Sequence, residues 1–113
     1  MKFKQKQIWL VDFEPSFGHE YTKIRPGLIV EDSDYIESNN LIVLLPLSSK
    51  VEKSSILDVI IQKDNNNRLM TNSLIKVHQI SSFDKRRLIK FIGVCSNEVF
   101  EQVKLNLQKY LSL

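Results

Sequence analysis

A single cysteine, Cys95, excludes an internal disulfide and a thiolate metal cluster. Its simplest reading is a small buried hydrophobe near the end of a strand. Two histidines, His19 and His78, are too few and too scattered for a histidine-rich metal site. Long apolar runs are also missing. The longest stretches, residues 41–47 and 56–61, fall far short of the ~20 residues that a bilayer crossing needs. The N-terminal segment 1–7 is basic, but Asp12 and Glu14 interrupt the apolar stretch behind it, so it fails as a signal-peptide core. A cytoplasmic protein with no membrane association is expected. Repeats, low-complexity segments and linkers are absent. With 113 residues there is room for one core and one domain, spanning 1–113. The formal charge of +3 is compatible with a polyanionic partner without by itself predicting one.

What is present reads mainly as strands. Residues 7–13 are rich in β-branched and aromatic side chains and predict a first strand. Residues 14–26 contain Pro15, Gly18 and Pro26 and little apolar content; they predict a loop long enough to be functional. Further strands are expected at 27–31, at 41–47 with Pro46 at its end or at an edge, at 56–61 and at 73–80. Polar loops are expected between them at 32–40, 48–55 and 63–68. Asp84 predicts the cap of a short basic helix over 85–91, ended by Gly93, with a brief last strand at Val94 and Cys95. Ser96 predicts the cap of a closing helix with Glu98 in its first turn. In that helix Val99, Val103, Leu107 and Leu111 recur every four residues, with Phe100 and Tyr110 beside them, as one apolar stripe. The expected fold is a small β-barrel-like α+β domain, mainly β, with one C-terminal helix.

Four blocks of residues carry a resemblance. The first is Ile8-Trp9-Leu10-Val11-Asp12-Phe13-Glu14-Pro15. The second is Gly18-His19-Glu20 with Lys23 and Arg25-Pro26. The third is Pro46-Leu47-Ser48-Ser49. The last is Ser73, Ile75 and Gln79-Ile80, followed by Asp84-Lys85-Arg86-Arg87-Leu88. In this order and at these spacings they resemble the MazF/PemK (Kid) toxins of type II toxin–antitoxin modules along essentially the whole chain. The resemblance implies an SH3-like barrel of the CcdB/PemK kind that pairs into a homodimer. It implies an endoribonuclease toxin that needs no metal or other cofactor and cuts single-stranded RNA at short sequences. It also implies a small antitoxin partner with a disordered acidic tail, and contact with operator DNA only through the antitoxin complex. The chain departs from the family in having Lys6-Gln7 where Gly-Asp is frequent, and Ser48 where threonine is usual.

Metal-free RNA cleavage uses the substrate's 2′-hydroxyl as nucleophile and leaves a 2′,3′-cyclic phosphate and a 5′-hydroxyl. The protein must remove the 2′-proton, neutralise charge on the phosphate oxygens and protonate the 5′-oxygen. On the family pattern, Arg25 suits the second task, because its planar fork grips two oxygens and stays cationic. Pro26 restricts it to extended backbone. Ser48 can donate to a non-bridging oxygen or cap a strand end. Glu20 is the candidate base, or else a solvated loop carboxylate. His19 has the pKa range of an acid, although the family often carries another residue there. Lys23, Ser49, Lys50 and Gln79 are candidate substrate contacts, with Lys53 also on the RNA path; each lysine can equally be an ordinary surface charge. Phe17 and Tyr21 are possible stacking platforms, and Lys85-Arg86-Arg87 is read as charge on a helix surface. A CcdB-like toxin that binds without cutting, or an inactive member acting through antitoxin binding and operon autoregulation, is the alternative.

Overall fold

Strand β1 (Gln7–Asp12) alternates its side chains between two apolar environments, which is why so few of its residues are polar. A computed structural model describes residues 2–13 and 24–113; the expected loop up to residue 23, with Phe17, His19, Glu20, Tyr21 and Lys23, lies outside the described residues. The chain continues as β2 (Ile24–Ile29), a short helix α1 (Ser33–Ile36) and β3 (Leu41–Ser48). Next come β4 (Val59–Ile61), β5 (Ser73–Ile75), β6 (Ser81–Asp84), β7 (Leu88–Val94) and the closing helix α2 (Asn97–Leu111). All the strand pairings are antiparallel, in the order β4-β5-β3-β2-β1-β7, with β6 also on β3. The fold is thus a seven-stranded sheet with a C-terminal helix, mainly β as expected.

The sheet is apolar on both faces. On one, Ile8, Leu28, Leu45, Leu47, Ile61 and Ile75 pack with Phe100 and Val103 of α2. On the other, Trp9, Val11, Ile29, Ile42 and Leu44 pack with Ile36 of α1 and Leu88. Trp9 is also held edge-on by Phe3 and Phe91, with ring centroids at 4.8 and 5.9 Å. This double coverage explains the nearly continuous apolar sequence of β3. Pro46 stands inside that strand, not at its end. Residues Leu41 to Leu44 pair with β6, and Leu47 and Ser48 pair with β5. Pro46 therefore sits in the gap between two ladders, where its missing N–H breaks neither. Its carbonyl accepts from the Lys76 N–H at 3.0 Å.

Several element expectations are corrected. β2 begins at Ile24, so Arg25 and Pro26 belong to a strand paired with Val11 and Leu10, not to a loop. The expected strand at 56–61 shortens to β4 because Ser55 and Asp58 close a turn on each other, leaving Ile56 fully in solvent. The segment 73–80 is interrupted by a 3-10 turn at Val77–Gln79, and the separate strand β6 follows. The helix expected over 85–91 is a three-residue 3-10 turn, Lys85–Arg87, that leads directly into β7. Asp84 does cap that turn, accepting from the Arg86 N–H at 2.8 Å. Pairing along the outer edge of β1 then overrides the weak helical period. The basic run is consumed locally: Lys85 bonds the Ile36 carbonyl, Arg86 pairs with Asp84, and Arg87 donates to the Asp12 carbonyl. The Arg86 hydrogen bonds bring the half-buried Asp84 carboxyl down to about 2. The polar segment 32–40 contains α1, capped by Asp32, where only a loop is expected.

The closing helix is as expected at its start: the Ser96 hydroxyl accepts from the Val99 N–H at 3.2 Å. Its stripe is covered through Leu107, but Tyr110 and Leu111 are exposed because the helix outruns the core beneath it. Cys95 is buried immediately after β7, and burial pushes its thiol up to about 11, which keeps it inert. Among the described residues no helix is long and apolar enough to cross a membrane.

Gly93 lies within β7 and does not end an element. A Cβ there would stand 2.5 Å from the carbonyl oxygens of Asn66 and Asn67, whose turn docks on the strand. The Val94 N–H donates to the same Asn66 carbonyl at 3.0 Å. We expect Gly93→Ala to destabilise the protein by about 2 kcal/mol, as overpacking against backbone does. Thermal denaturation checks this; an unchanged melting temperature would mean that the turn does not press on β7.

Candidate functional site

The site is assembled where strand ends meet. β2 supplies Arg25 and Pro26, and the last residues of β3 supply Leu47 and Ser48. The last registered pair between these strands is Gly27 with Pro46. The same register, continued by two residues, sets Arg25 opposite Ser48. Both residues line one cleft of about 910 Å³ together with Ser49, Lys50 and Gln79. Five expected site residues, scattered over more than fifty positions of sequence, therefore meet around one space. Glu20, His19 and Lys23 are outside the described residues. Gln79 reaches the cleft from a 3-10 turn and not from a strand end.

The lining of the cleft mixes apolar and cationic side chains. Leu10, Pro26, Leu47 and Ile92 lie among Arg25, Lys50, Lys53, Arg68, Lys76 and Lys90, and no described lining residue is acidic. Such a lining repels cations and concentrates polyanions. Arg68, Lys76 and Lys90 were not singled out from the sequence. Each comes from a different segment, and only the sheet pairing brings them to the groove; a local signal exists for none of them.

Lys76 differs from the others. Its ammonium donates to the Asp58 carboxylate at 2.7 Å, and that carboxylate is wholly buried. Burial alone would raise the Asp58 carboxyl, but hydrogen bonds from Lys76 and the Ser55 N–H outweigh it and hold the carboxyl below its usual range. His78 stands 3.8 Å from the other carboxylate oxygen, consistent with a structural place for it. Lys50, Lys53, Arg68 and Lys90 have no carboxylate partner among the described residues. At Ser48 the hydroxyl oxygen accepts from the Lys50 N–H at 3.2 Å, which ties the strand end to the loop carrying the lysines.

Comparison with known proteins places the chain in a family. Residues 4–111 match the family of PemK-like, MazF-like toxins of type II toxin–antitoxin systems. The chain belongs to the PemK/MazF toxin family. It is 22% identical over 100 residues, 88% of this chain and 83% of the relative, to a protein named Endoribonuclease MazF from Staphylococcus saprophyticus. The crystal structure of MazF from Deinococcus radiodurans superposes with a TM-score of 0.84 at 20% identity, covering 100% of this chain and 99% of that one. A mycobacterial endoribonuclease, solved in complex with its cognate antitoxin, superposes with a TM-score of 0.73 at 15% identity, covering 99% and 95% of the two chains. These identities are low, so the structural likeness speaks for the fold.

Within this family member the buried ion pair gives a test with a definite sign. Lys76→Met leaves the Asp58 carboxylate buried without its cation, which we expect to cost about 3 kcal/mol at neutral pH. Lys76 lowers the Asp58 pKa, so without it the carboxyl protonates at a higher pH, and the penalty is fully present only where the carboxyl is ionised in both folded proteins. It shrinks as pH falls and the carboxyl that has lost Lys76 protonates. Urea denaturation of both proteins at pH 7 and pH 3 checks this; a penalty independent of pH would sink the assignment.

Proposed function

We propose that this chain is an endoribonuclease toxin that cuts single-stranded RNA in the cationic cleft, without a metal, by attack of the substrate's own 2′-hydroxyl. The observation that carries the reading is the convergence of Arg25, Ser48 and lysines without a carboxylate partner among the described residues on one groove with no described acidic residue. Such a groove suits a chain of phosphates, and family membership and the curated relative's name supply the reaction class.

In the reaction the 2′-oxygen forms a bond to phosphorus as the bond to the 5′-oxygen breaks. Glu20 takes the 2′-proton, and the 5′-oxygen must gain one, for which His19 is the candidate acid. Arg25 faces the non-bridging oxygens and neutralises the charge that grows on them. Its place in a strand paired with β1, followed by Pro26, holds the guanidinium on an extended, inflexible backbone. Ser48 unites the two roles considered for it. Its oxygen accepts from the Lys50 N–H while its own proton remains for a phosphate oxygen. Lys23, Ser49, Lys50 and Gln79 complete the contacts to the RNA strand, and unstacked bases meet the apolar part of the lining.

The same cleft suits the acidic, disordered segment of a small antitoxin, which would compete with RNA for the same cations. Pairing of two copies and operator DNA contact through the antitoxin complex belong to the same proposal, as does a cytoplasmic site of action.

Purified protein incubated with a long single-stranded RNA in EDTA should release discrete fragments with 5′-hydroxyl and 2′,3′-cyclic phosphate ends. Arg25→Ala should lose 100-fold or more of the rate, about 3 kcal/mol, while keeping its fold. Ser48→Ala should lose less, and Ser48→Thr should retain activity. Growth arrest on expression with no RNA cleavage would instead favour a toxin that binds without cutting.

A further inference from the structure

The turn between β4 and β5 is organised from within. Asn67 is almost wholly buried, and its Oδ1 accepts from the N–H groups of Asp64 and Leu69 at 3.1 and 3.0 Å. Its Nδ2 donates to the Gln62 carbonyl at 2.9 Å. Asp64 Oδ1 accepts from the Asn66 and Asn67 N–H groups at 2.8 and 2.7 Å. The outer side of the turn abuts Gly93. Held at both sides, the turn leaves residue 68 in the left-handed region, at φ 55, with its N–H bonded to the Asp64 carbonyl.

Glycine occupies such a backbone without strain, and asparagine with little; a long side chain is strained there. This chain carries arginine. The rest of the turn is satisfied hydrogen bond by hydrogen bond, so the choice at 68 is not carelessness of the whole loop. The Arg68 side chain is exposed and has no hydrogen bond or salt bridge among the described residues. It lines the cleft that holds Arg25 and Ser48. Folding therefore gains nothing visible from this arginine, while the cleft gains a cation whose direction the locked turn sets.

Resting on the ribonuclease reading, we infer that Arg68 is a second phosphate grip of the cleft, holding a phosphodiester of the single-stranded substrate other than the one cleaved. Its planar fork can hold two phosphate oxygens, and contact with phosphate carries no sequence information.

The test uses a 2′-O-methyl RNA oligonucleotide of mixed sequence, which has no free 2′-hydroxyl to attack. Binding is measured between roughly 50 and 200 mM salt for wild type, Arg68→Gly and Arg68→Lys. Wild type should bind with a salt-dependent affinity. Arg68→Gly should bind about three- to tenfold more weakly at low salt, and its slope of log affinity against log salt should fall by about 0.7, one single-strand phosphate contact. Arg68→Lys should restore the slope. Thermal denaturation should give Arg68→Gly a melting temperature equal to or above that of wild type. Cut positions in a long RNA should be unchanged. Equal binding and slope in Arg68→Gly would overturn the inference, as would altered cut positions, which signify a base contact. A lowered melting temperature would overturn it too, making Arg68 structural. Wild type failing to bind would remove this inference and the ribonuclease reading together. Wild type binding without cutting RNA would remove only the nuclease reading, and the slope would still decide the role of Arg68.

Discussion

Strand β3 must be apolar toward both faces of the sheet and yet change partners halfway along, and most of the structure follows from that requirement. Its first half pairs with β6, its last two residues pair with β5, and its other edge pairs with β2. A proline can occupy its interior only because the change of partner opens a gap at Pro46. The carbonyl of that proline then captures the Lys76 N–H. That bond is the next rung of the β3–β5 register, and with no proline N–H to return it the ladder stops before the 3-10 turn that presents Gln79. The polar end of the strand, Ser48, lies where the pairing with β2 runs out, beside Arg25. The cleft is thus a product of how one strand ends.

Outside the cleft some cations are tied locally: Arg86 to Asp84, Arg87 to a carbonyl, Lys104 to Glu101. Around the cleft Lys50, Lys53, Arg68 and Lys90 have no carboxylate partner among the described residues, and a bound polyanion relieves their mutual repulsion. Lys76 is the exception that clarifies the pattern. Its partner Asp58 is buried, so the pair braces the wall and adds little to the field in the groove.

Legibility of the sequence differed by element. β1, β3 and α2 were readable because their signals are local: β-branched composition, a continuous apolar run, a serine cap and a four-residue stripe. Residues 85–91 carry a local helix signal in the true cap Asp84, but the open edge of β1 needs a partner and only the folded sheet supplies that preference. Leu111 belonged to the stripe by period and fell outside the core by length. Arg25, Ser48, Ser49, Lys50 and Gln79 were found through family pattern, and their convergence is a tertiary fact. Arg68 and Lys90 gave no sign in the sequence, because a charged residue near a turn or on a strand is unremarkable until its neighbours are known.

By itself the sequence determined a mainly β chain with one closing helix, no disulfide, and an arginine–proline pair beside a first strand. These are properties of composition and short-range order, where a residue and its near neighbours decide the outcome. Tertiary structure alone decided that β2 begins before Arg25, that Pro46 lies within a strand, that Gly93 must be glycine, and that six cations share one groove. Each of these depends on contacts between segments distant in the chain, which no local propensity encodes.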